Sequence, residues 1–304
     1  MKNNLLILLV LTFFVACRGQ VTRGELTVRD IEIFKNTDAW DLIQAVDDND
    51  VTAIQDILDL NRKLVDFQDS IFGTTPLMWA IGAEKYDAAK VLLENGADPN
   101  LISKTGTTAL FRAISFSWYD SKADPNSKFV KLLLDYKADP NIPYCSPKVE
   151  GETAVTECGT SPLIHAVSRG FGKVKLLVGA GANINYKTKS GRTAAFEALL
   201  LEDVDAAYFL IVEHKAVITE PVYFYSLTEA DSIDITKPHY PVDLLLDWTF
   251  ELNSSNYKKK KAIIMEFSRQ GVSYEDRKSN ISDLIIRKIQ GMHPNDWKEY
   301  IKAY

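Results

Sequence analysis

The chain has 304 residues, of which 46% are hydrophobic and 25% are charged, a globular composition that excludes a disordered, collagen-like or multi-span membrane protein. Its 35 basic and 41 acidic side chains give a net charge of −6, which argues against a nucleic-acid partner, because binding to phosphate backbones depends on basic side chains. Three cysteines are too few for a scaffold held together by disulfides.

The first residues form an apolar leader. The apolar run over residues 5–16 is shorter than the roughly 20 residues that cross a membrane as a stable helix. Such a run behind a basic residue is typical of a signal peptide, which we place at residues 1–16. The sequence Phe14-Val15-Ala16-Cys17 resembles the lipobox of bacterial lipoproteins. The resemblance implies that Cys17 becomes a lipidated N-terminus, and a conventional secretory signal is the alternative.

Acyl chains on Cys17 imply a membrane anchor, because two or more chains give stable attachment. We place the tether at residues 17–36. In the lipoprotein resemblance, an aspartate directly after the lipidated cysteine is associated with retention at the inner membrane. This chain has Arg18 at that position instead. We therefore expect an outer-membrane lipoprotein of the bacterial cell envelope, facing the periplasm or the cell surface.

A repeated pattern begins near residue 70. One motif occurs four times, at Gly73–Ile81, Gly106–Ile114, Gly159–Val167 and Gly191–Leu199. A leucine-rich motif occurs three times, at Lys90–Asn100, Lys131–Asn141 and Lys175–Asn185. The third position of the first motif predicts a helix N-cap with a side-chain hydroxyl, at Thr75, Thr108, Ser161 and Thr193. The leucines of the second motif predict an apolar helix stripe that only a neighbouring unit can cover.

These motifs resemble the ankyrin repeat. The resemblance implies an all-α solenoid, each unit of which has two antiparallel helices and a β-hairpin loop. An array of about six units is expected over residues 37–279. Its end units are divergent, and residues 280–304 are expected to form a C-terminal helical cap. The clear repeats cover residues 70–102, 103–142, 157–187 and 188–218.

The third unit carries an insertion between its helices. The distance from Asn100 to Asn141 is 41 residues, which is about eight more than the period of the pattern. The inserted residues include Trp118 and Tyr119. Aromatic side chains on a protruding loop are typical anchors for a protein partner, and coverage of the array's own flank is the alternative.

The hairpin after Asn141 is about twelve residues longer than the others and contains Cys145 and Cys158. Once Cys17 carries lipid, these are the remaining thiols, and export places them in an oxidising compartment. We therefore predict a disulfide between Cys145 and Cys158, with two reduced, buried thiols as the alternative. A cysteine pair without nearby histidines does not favour a zinc site.

Two further segments depart from the pattern. The long connection between Thr219 and Pro238 contains the aromatic run Tyr223-Phe224-Tyr225, which is expected either to pack on the concave face or to contact a ligand. The lysine run Lys258–Lys261 predicts the solvated start of a helix. Its alternative role is contact with anionic lipid headgroups.

Residue patterns typical of catalysis are missing from the sequence. The histidines His165, His214, His239 and His293 are scattered, without the spacing of a metal site. There is no G-x-S-x-G motif and no phosphate-binding glycine loop. We therefore expect no catalytic residue, no cofactor and no metal.

In the ankyrin family, partners contact the first helices and the hairpin tips. The resemblance places one residue from each clear repeat on an outward line, namely Trp79, Arg112, His165 and Glu197. It places Phe72, Thr74, Lys104, Thr107 and Arg192 on the hairpins. We expect these residues to form a protein-binding face. For Trp79, packing against the next repeat is the alternative.

The resulting hypothesis is an envelope-anchored lipoprotein that binds an unidentified protein through its concave face and hairpin loops. Its role is that of a scaffold or of an inhibitor or immunity protein, and no small-molecule substrate is expected. The alternative is an envelope enzyme or small-ligand binder with a pocket under the finger at residues 143–158.

Overall fold

The computed structural model describes residues 26–115, 118, 127–145, 156–223 and 238–303. The expected signal peptide, Cys17 and the rest of the tether up to residue 25 lie outside these residues, as do Tyr119, Phe224 and Tyr225. Within the described ranges the regular elements are helices, and β-structure is limited to two isolated bridges, Tyr144 to Thr160 and Val222 to His239. None of the helices in this part of the chain has the length and apolarity needed to span a membrane.

The helices follow one another along the chain in pairs. The pairs are α1 (Trp40–Asp47) and α2 (Val51–Leu60), α3 (Pro76–Gly82) and α4 (Tyr86–Glu94), α5 (Ala109–Ile114) and α6 (Lys128–Asp135), α7 (Pro162–Val167) and α8 (Phe171–Gly179), α9 (Ala194–Leu200) and α10 (Val204–Ala207), and α11 (Pro241–Leu244) and α12 (Ser255–Arg269). Helix α10 continues as a π-helix over Tyr208–Glu213. Two more helices follow, α13 (Asp283–Met292) and α14 (Trp297–Ala303). Short 3-10 helices cover Ile31–Phe34, Arg62–Asp66 and Glu275–Asn280.

The first helix of each clear repeat begins at the predicted hydroxyl cap. The Thr75 side chain accepts a hydrogen bond from the Met78 backbone N–H at 3.1 Å, and Pro76 occupies the first turn, where a missing N–H leaves no bond unmade. The same bond forms at the other three caps, Thr108, Ser161 and Thr193. The repeated motif therefore fixes where these helices begin, and this prediction is confirmed.

The pairs stack on one another in two rows. The first helices of adjacent units pack together, and so do second helices such as α2 with α4 and α6 with α8. The leucine stripe is buried between them, since Leu92, Leu133 and Leu177 are fully inaccessible to solvent. One apolar core runs through the stack from Ile33 to Tyr274. The predicted all-α solenoid is confirmed.

The loops between units are turns rather than β-ladders. In one of them, the Ser103 N–H donates to the Thr107 carbonyl at 2.9 Å, and the Gly106 N–H returns to the Ser103 carbonyl at 2.9 Å. Gly106 has a φ of 71°, a left-handed conformation that glycine adopts without steric penalty. Because each turn closes within a few residues, no strand of two or more residues forms in the described loops.

A recurring side-chain bond connects each unit to the next. We call its acceptors, Asp66, Asn100, Asn141 and Asn185, the Asx ladder. Their Oδ1 atoms accept hydrogen bonds from the backbone N–H groups of Asp98, Asp139, Asn183 and Val217 at 2.9, 2.7, 2.7 and 2.8 Å, respectively. The amides of Asn100 and Asn141 also donate to the carbonyls of Lys137 and Gly181. Each of these two asparagines therefore satisfies two backbone groups of the following unit.

Replacing Asn141 by alanine is expected to lower the free energy of unfolding by about 1 to 2 kcal/mol, because it removes two hydrogen bonds between units. Asn141→Asp should lose less, since a carboxylate keeps the acceptor and loses only the donor. Denaturant titration of the purified variants measures both effects. Asn256→Ala, at an exposed position of α12, is the matched control. An Asn141→Asp variant as unstable as Asn141→Ala would contradict the role of the acceptor.

The lysine run lies at the start of α12, but its solvation was predicted wrongly for one member. Lys260 is only 1% exposed, its Nζ atom donates to the Trp248 carbonyl at 2.9 Å, and it lies 5.4 Å from the centre of the Tyr274 ring. The helical period explains the difference, because Lys260 shares the inner face of α12 with Ile263 and Phe267. Lys258 and Lys261 are exposed, as expected.

Helices α13 and α14 form a small core of their own after the last stacked pair. Its buried members are Ile285, Ile289 and Tyr300. The Tyr257 hydroxyl of α12 donates to the Ala303 carbonyl at 2.7 Å, and the Tyr300 hydroxyl donates to the Phe250 carbonyl at 2.5 Å. These bonds hold the terminal helices against the end of the stack.

Candidate functional site

The expected outward line of residues is largely covered. Trp79 is only 3% exposed, and its indole N–H donates to the Asp47 carboxylate at 3.3 Å. Its ring meets Phe34 and Trp118 edge to face, with centroids 6.0 and 5.2 Å apart. The expectation that Trp79 faces a partner is therefore corrected. The residue packs inside the array, because Phe34 before the first repeat and Trp118 from the insertion cover it.

Trp118 is not a protruding anchor either. It is 9% exposed, its backbone N–H donates to the Gly82 carbonyl at 3.3 Å, and its own carbonyl accepts from Arg29 at 3.3 Å. A Cβ atom added to Gly82 would lie 2.6 Å from the Trp118 ring. Trp118 thus covers the array's own flank, which was the alternative, and the absence of a side chain at position 82 makes the close contact possible.

Replacing Gly82 by alanine is expected to destabilise the protein by about 1 to 3 kcal/mol, because the new methyl group displaces the Trp118 ring. A glycine-to-alanine change in a helix ordinarily has the opposite effect, a gain of about 0.5 to 1 kcal/mol. Gly179→Ala in α8 is the control, and it should show the ordinary gain in stability, since a Cβ there meets nothing within 4 Å.

A double-mutant cycle separates this contact from other effects of the substitution. In a Trp118→Ala background, Gly82→Ala should no longer destabilise the protein. Thermal unfolding of the four proteins measures the coupling. If the penalty of Gly82→Ala is the same in both backgrounds, the contact is not its cause.

The hairpin residues divide into buried and exposed members. Thr74 and Thr107 are buried, because their backbone N–H groups donate to the Asp69 and Ser103 side chains of their own turns. The expectation that Thr74 and Thr107 contact a partner is therefore corrected. Phe72 is half-buried, and its carbonyl accepts from the Lys104 N–H at 2.8 Å. Of the hairpin residues expected to bind a partner, Lys104 is exposed.

Two exposed apolar side chains flank Lys104, and sequence reasoning missed them. Ile71 is 48% exposed and Ile102 is 53% exposed. Ile71 and Lys104 belong to turns of adjacent units, which the Lys104 side chain connects by donating to the Ser70 carbonyl. We call Ile71, Ile102 and Lys104 the hairpin edge. An apolar residue at the tip of a polar turn was the sequence signal that could have found it.

Glu197 and Arg192 neutralise each other. Glu197 is 6% exposed, and its carboxylate accepts from the Arg192 Nε atom at 2.6 Å. The expectation that Glu197 faces a partner is corrected, because this ion pair closes over it. Arg192 keeps 31% of its side-chain surface exposed.

The last two members of the line, Arg112 and His165, lie on the neighbouring helices α5 and α7. The His165 ring stacks on Phe111 with centroids 4.5 Å apart, and Phe111 stacks on Tyr144 at 5.1 Å. The His165 Nε2 atom lies 3.0 Å from the Ser115 hydroxyl oxygen. Burial, together with the charges of Arg169 and Lys173, lowers the pKa of His165 to about 3. His165 is therefore a neutral structural ring at physiological pH.

Arg112 has a different environment. Its guanidinium lies 5.1 Å from the centre of the Trp118 ring. Burial, together with the charge of Arg29, lowers the pKa of Arg112 to about 10 against the opposing effect of Tyr144. Among the described residues, none accepts a hydrogen bond from the buried Nε atom. Arg29 and Tyr144 could not be assigned to this cluster from the sequence, because 83 and 32 residues separate them from Arg112.

Two groups of side chains bear on the chemistry that the described residues can support. The described residues contain no group of three or more His, Cys, Asp or Glu side chains able to hold a metal ion. A disulfide joins Cys145 to Cys158, which removes both thiols as nucleophiles. The residues 146–155 of the finger lie outside the described part of the chain. A cleft of about 120 Å³ lies elsewhere, between the turns that contain Gly191 and Ile218.

Comparison with known proteins identifies related sequences. A family model described as ankyrin repeats, in three copies, matches residues 42–144 and 121–221. The chain is 31% identical over 140 residues to Neurogenic locus notch homolog protein 1 of Xenopus tropicalis, 28% over 168 residues to Nuclear factor NF-kappa-B p105 subunit of Gallus gallus, and 37% over 90 residues to Inversin of Homo sapiens. These alignments cover 46%, 54% and 30% of this chain but 5%, 15% and 8% of the relatives. The chain thus spans a small part of each relative's length.

Proposed function

Because this chain belongs to the ankyrin-repeat family, whose repeats generally mediate protein–protein interaction, we propose that it is a non-catalytic protein that binds another protein. The observation that carries the proposal is the hairpin edge. Its two isoleucines are about half exposed, whereas the leucine stripes that stack the units are buried. Exposed apolar side chains that are grouped, unlike isolated ones, are typical of interaction sites.

The proposed contact surface differs from the outward line of residues expected from the sequence. Trp79, Trp118 and Glu197 are covered by the protein's own residues, so a partner reaches them only after the fold opens. Ile71 and Ile102 are accessible without any rearrangement, and Lys104 adds a positive charge between them on a chain of net charge −6. An apolar centre beside a basic group suits a partner with an apolar patch and an acidic rim.

We further propose that the protein acts in a bacterial envelope, held at the outer membrane by lipid on Cys17. The lipobox-like sequence supports the anchor, and the Cys145–Cys158 disulfide agrees with an oxidising compartment. A fixed position in the envelope suits stoichiometric binding, either as a scaffold or as an inhibitor or immunity protein that blocks an exported protein.

Affinity capture from the envelope of the source bacterium tests the binding function. The tagged full chain is solubilised in mild detergent, and the captured proteins are identified by mass spectrometry. An Ile71→Asp/Ile102→Asp variant should reduce capture of the partner about tenfold or more, because it places charge in the apolar centre of the contact. The captured protein is then purified, and its affinity for each variant is measured directly.

Leu60→Asp is the matched control, because Leu60 is 89% exposed at the end of α2 and lies outside the hairpin edge. This variant should capture the partner as the wild type does. Equal capture by the hairpin-edge and Leu60 variants would remove the edge as the contact site. The absence of any reproducible protein partner would overturn the proposed function itself.

The anchor is tested separately by metabolic labelling with palmitate. The wild-type chain should incorporate label and fractionate with the outer membrane, and Cys17→Ala should abolish both, since the acyl chains attach to that thiol. Label that persists in Cys17→Ala would contradict lipidation at this residue.

A further inference from the structure

Arg112 is a partly buried cation to which the described part of the protein supplies no counter-ion. Its Nε atom is shielded from solvent, and no described residue accepts a hydrogen bond from it. None of the ion pairs formed by described residues includes Arg112, whereas Arg192 pairs with Glu197. Burying a charge without a partner is unfavourable, and removing it from water is compensated only when an opposite charge and hydrogen bonds replace the lost solvation.

The neighbours of Arg112 increase this imbalance. Another cation, Arg29, lowers the pKa of this guanidinium, and Arg29 is held nearby because it donates to the Trp118 carbonyl at 3.3 Å. The Trp118 ring lies against the guanidinium, with 5.1 Å between the Cζ atom and the ring centroid. A cation–π contact uses the face of the guanidinium and leaves the in-plane N–H groups of its Nη atoms available as donors. Arg112 is partly exposed, so a ligand can approach from solvent.

We infer that Arg112, assisted by Arg29, is the binding site for a carboxylate. The planar fork of a guanidinium matches the two oxygens of a carboxylate. The Trp118 ring supplies an aromatic wall that favours a planar, weakly hydrated group over a phosphate. The chain's net charge of −6 also repels a dianion more strongly than a singly charged carboxylate.

The carboxylate has two possible sources, an acidic residue of a protein partner and a free carboxylic acid. The first source rests on the proposed function, because it makes Arg112 a specificity contact of the bound protein. The site itself needs no partner in order to be tested, so failure of the site and failure of protein binding are distinguishable.

The test uses the full chain in detergent micelles, labelled with nitrogen-15 arginine, and follows the Nε–Hε signals by NMR. The Arg112 signal is identified by its absence from the Arg112→Lys variant. Sodium acetate, sodium phosphate, and a capped Gly-Glu-Gly peptide with its Gly-Gln-Gly analogue are added separately at constant ionic strength. Acetate and the glutamate peptide should shift the Arg112 signal saturably, and the glutamine peptide should not.

Variants identify the groups responsible for binding. Calorimetric titration with the tighter of the two carboxylate probes should give about tenfold weaker binding for Arg112→Lys, which keeps the charge and loses the fork, and a smaller loss for Arg29→Gln. Arg287→Gln, which makes the same charge change at an exposed position of α13, should bind as the wild type does. Tighter binding of the glutamate peptide than of acetate points to a protein source, and equal binding points to a free acid.

A linear, non-saturating shift of the Arg112 signal would overturn the site. So would phosphate binding at least as tight as acetate binding, or equal losses in Arg29→Gln and Arg287→Gln. If Arg112→Lys does not fold, the carboxylate affinities of Arg29→Gln and Arg287→Gln decide whether the site exists.

Discussion

Raising the pH from about 6 to about 9 is expected to stabilise the protein relative to its Lys260→Met variant, by up to about 1.4 kcal/mol per pH unit. Burial, together with the charges of Lys278 and Lys261, lowers the pKa of the Lys260 ammonium to about 6 against the opposing effect of Asp247 and Glu202. Between this value and the ordinary lysine pKa, the unfolded chain binds a proton that the folded protein does not bind. Stability therefore rises with pH over that interval.

The sign follows from the direction of the shift. Above the ordinary pKa, neither state is charged at Lys260 and no penalty applies. Below about pH 6 the folded ammonium is charged while buried, and the full unfavourable term is present. Methionine has a similar shape and no charge, so its variant should lack this part of the pH dependence.

Denaturant unfolding at several pH values measures the effect as the difference between the two proteins. Lys261→Met provides the control, because Lys261 is exposed on the same helix. The difference in unfolding free energy between Lys261→Met and the wild type should stay nearly constant with pH. Parallel curves for wild type and Lys260→Met would show that Lys260 is solvated in its charged form, and the buried geometry would then be wrong.

Replacing Cys145 and Cys158 together by serine is expected to lower the free energy of unfolding by about 3 kcal/mol, because the disulfide closes a loop of about fifteen residues and restricts the unfolded chain. The surrounding backbone depends on the same closure. The Tyr144 N–H donates to the Thr160 carbonyl at 2.9 Å, and the Cys145 N–H donates to the Gly106 carbonyl of the preceding turn at 3.2 Å. The disulfide thus also holds Tyr144 against Phe111.

Unfolding of the wild type with and without reductant measures the same quantity without mutation. Reductant should destabilise the wild type and leave the double-serine variant unchanged. Cys17→Ser should remain as sensitive to reductant as the wild type. A wild-type protein whose stability does not depend on reductant would show that the disulfide contributes nothing.

The repeated elements were predictable because their causes are local. The cap at Thr75 and the turn at Gly106 depend on residues within a few positions, so the motif carries the information that forms the helix or turn. The buried leucines follow from the helical period in the same way. The fold class could therefore be predicted from the sequence.

The surface could not be predicted equally well, because residues outside the repeats cover it. Trp79 occupies a position that faces outward in the repeat pattern, but Phe34 and Trp118 pack on its ring. Neither of these residues belongs to a repeat motif. Arg29 approaches Arg112 from a segment before the first helix, and no spacing rule connects the two. Burial at these positions depends on contacts that only three-dimensional folding creates.

In the Asx ladder, the distance between neighbouring units does not depend on how many residues each unit contains. Its four bonds have nearly equal lengths, although 32, 39, 42 and 32 residues separate the bonded partners. Lengthening a unit thus leaves the pitch to its neighbour unchanged. For protein engineering, this makes the third unit and the hairpin after Asn141 natural acceptors for grafted peptides, because additions there need not propagate along the superhelix.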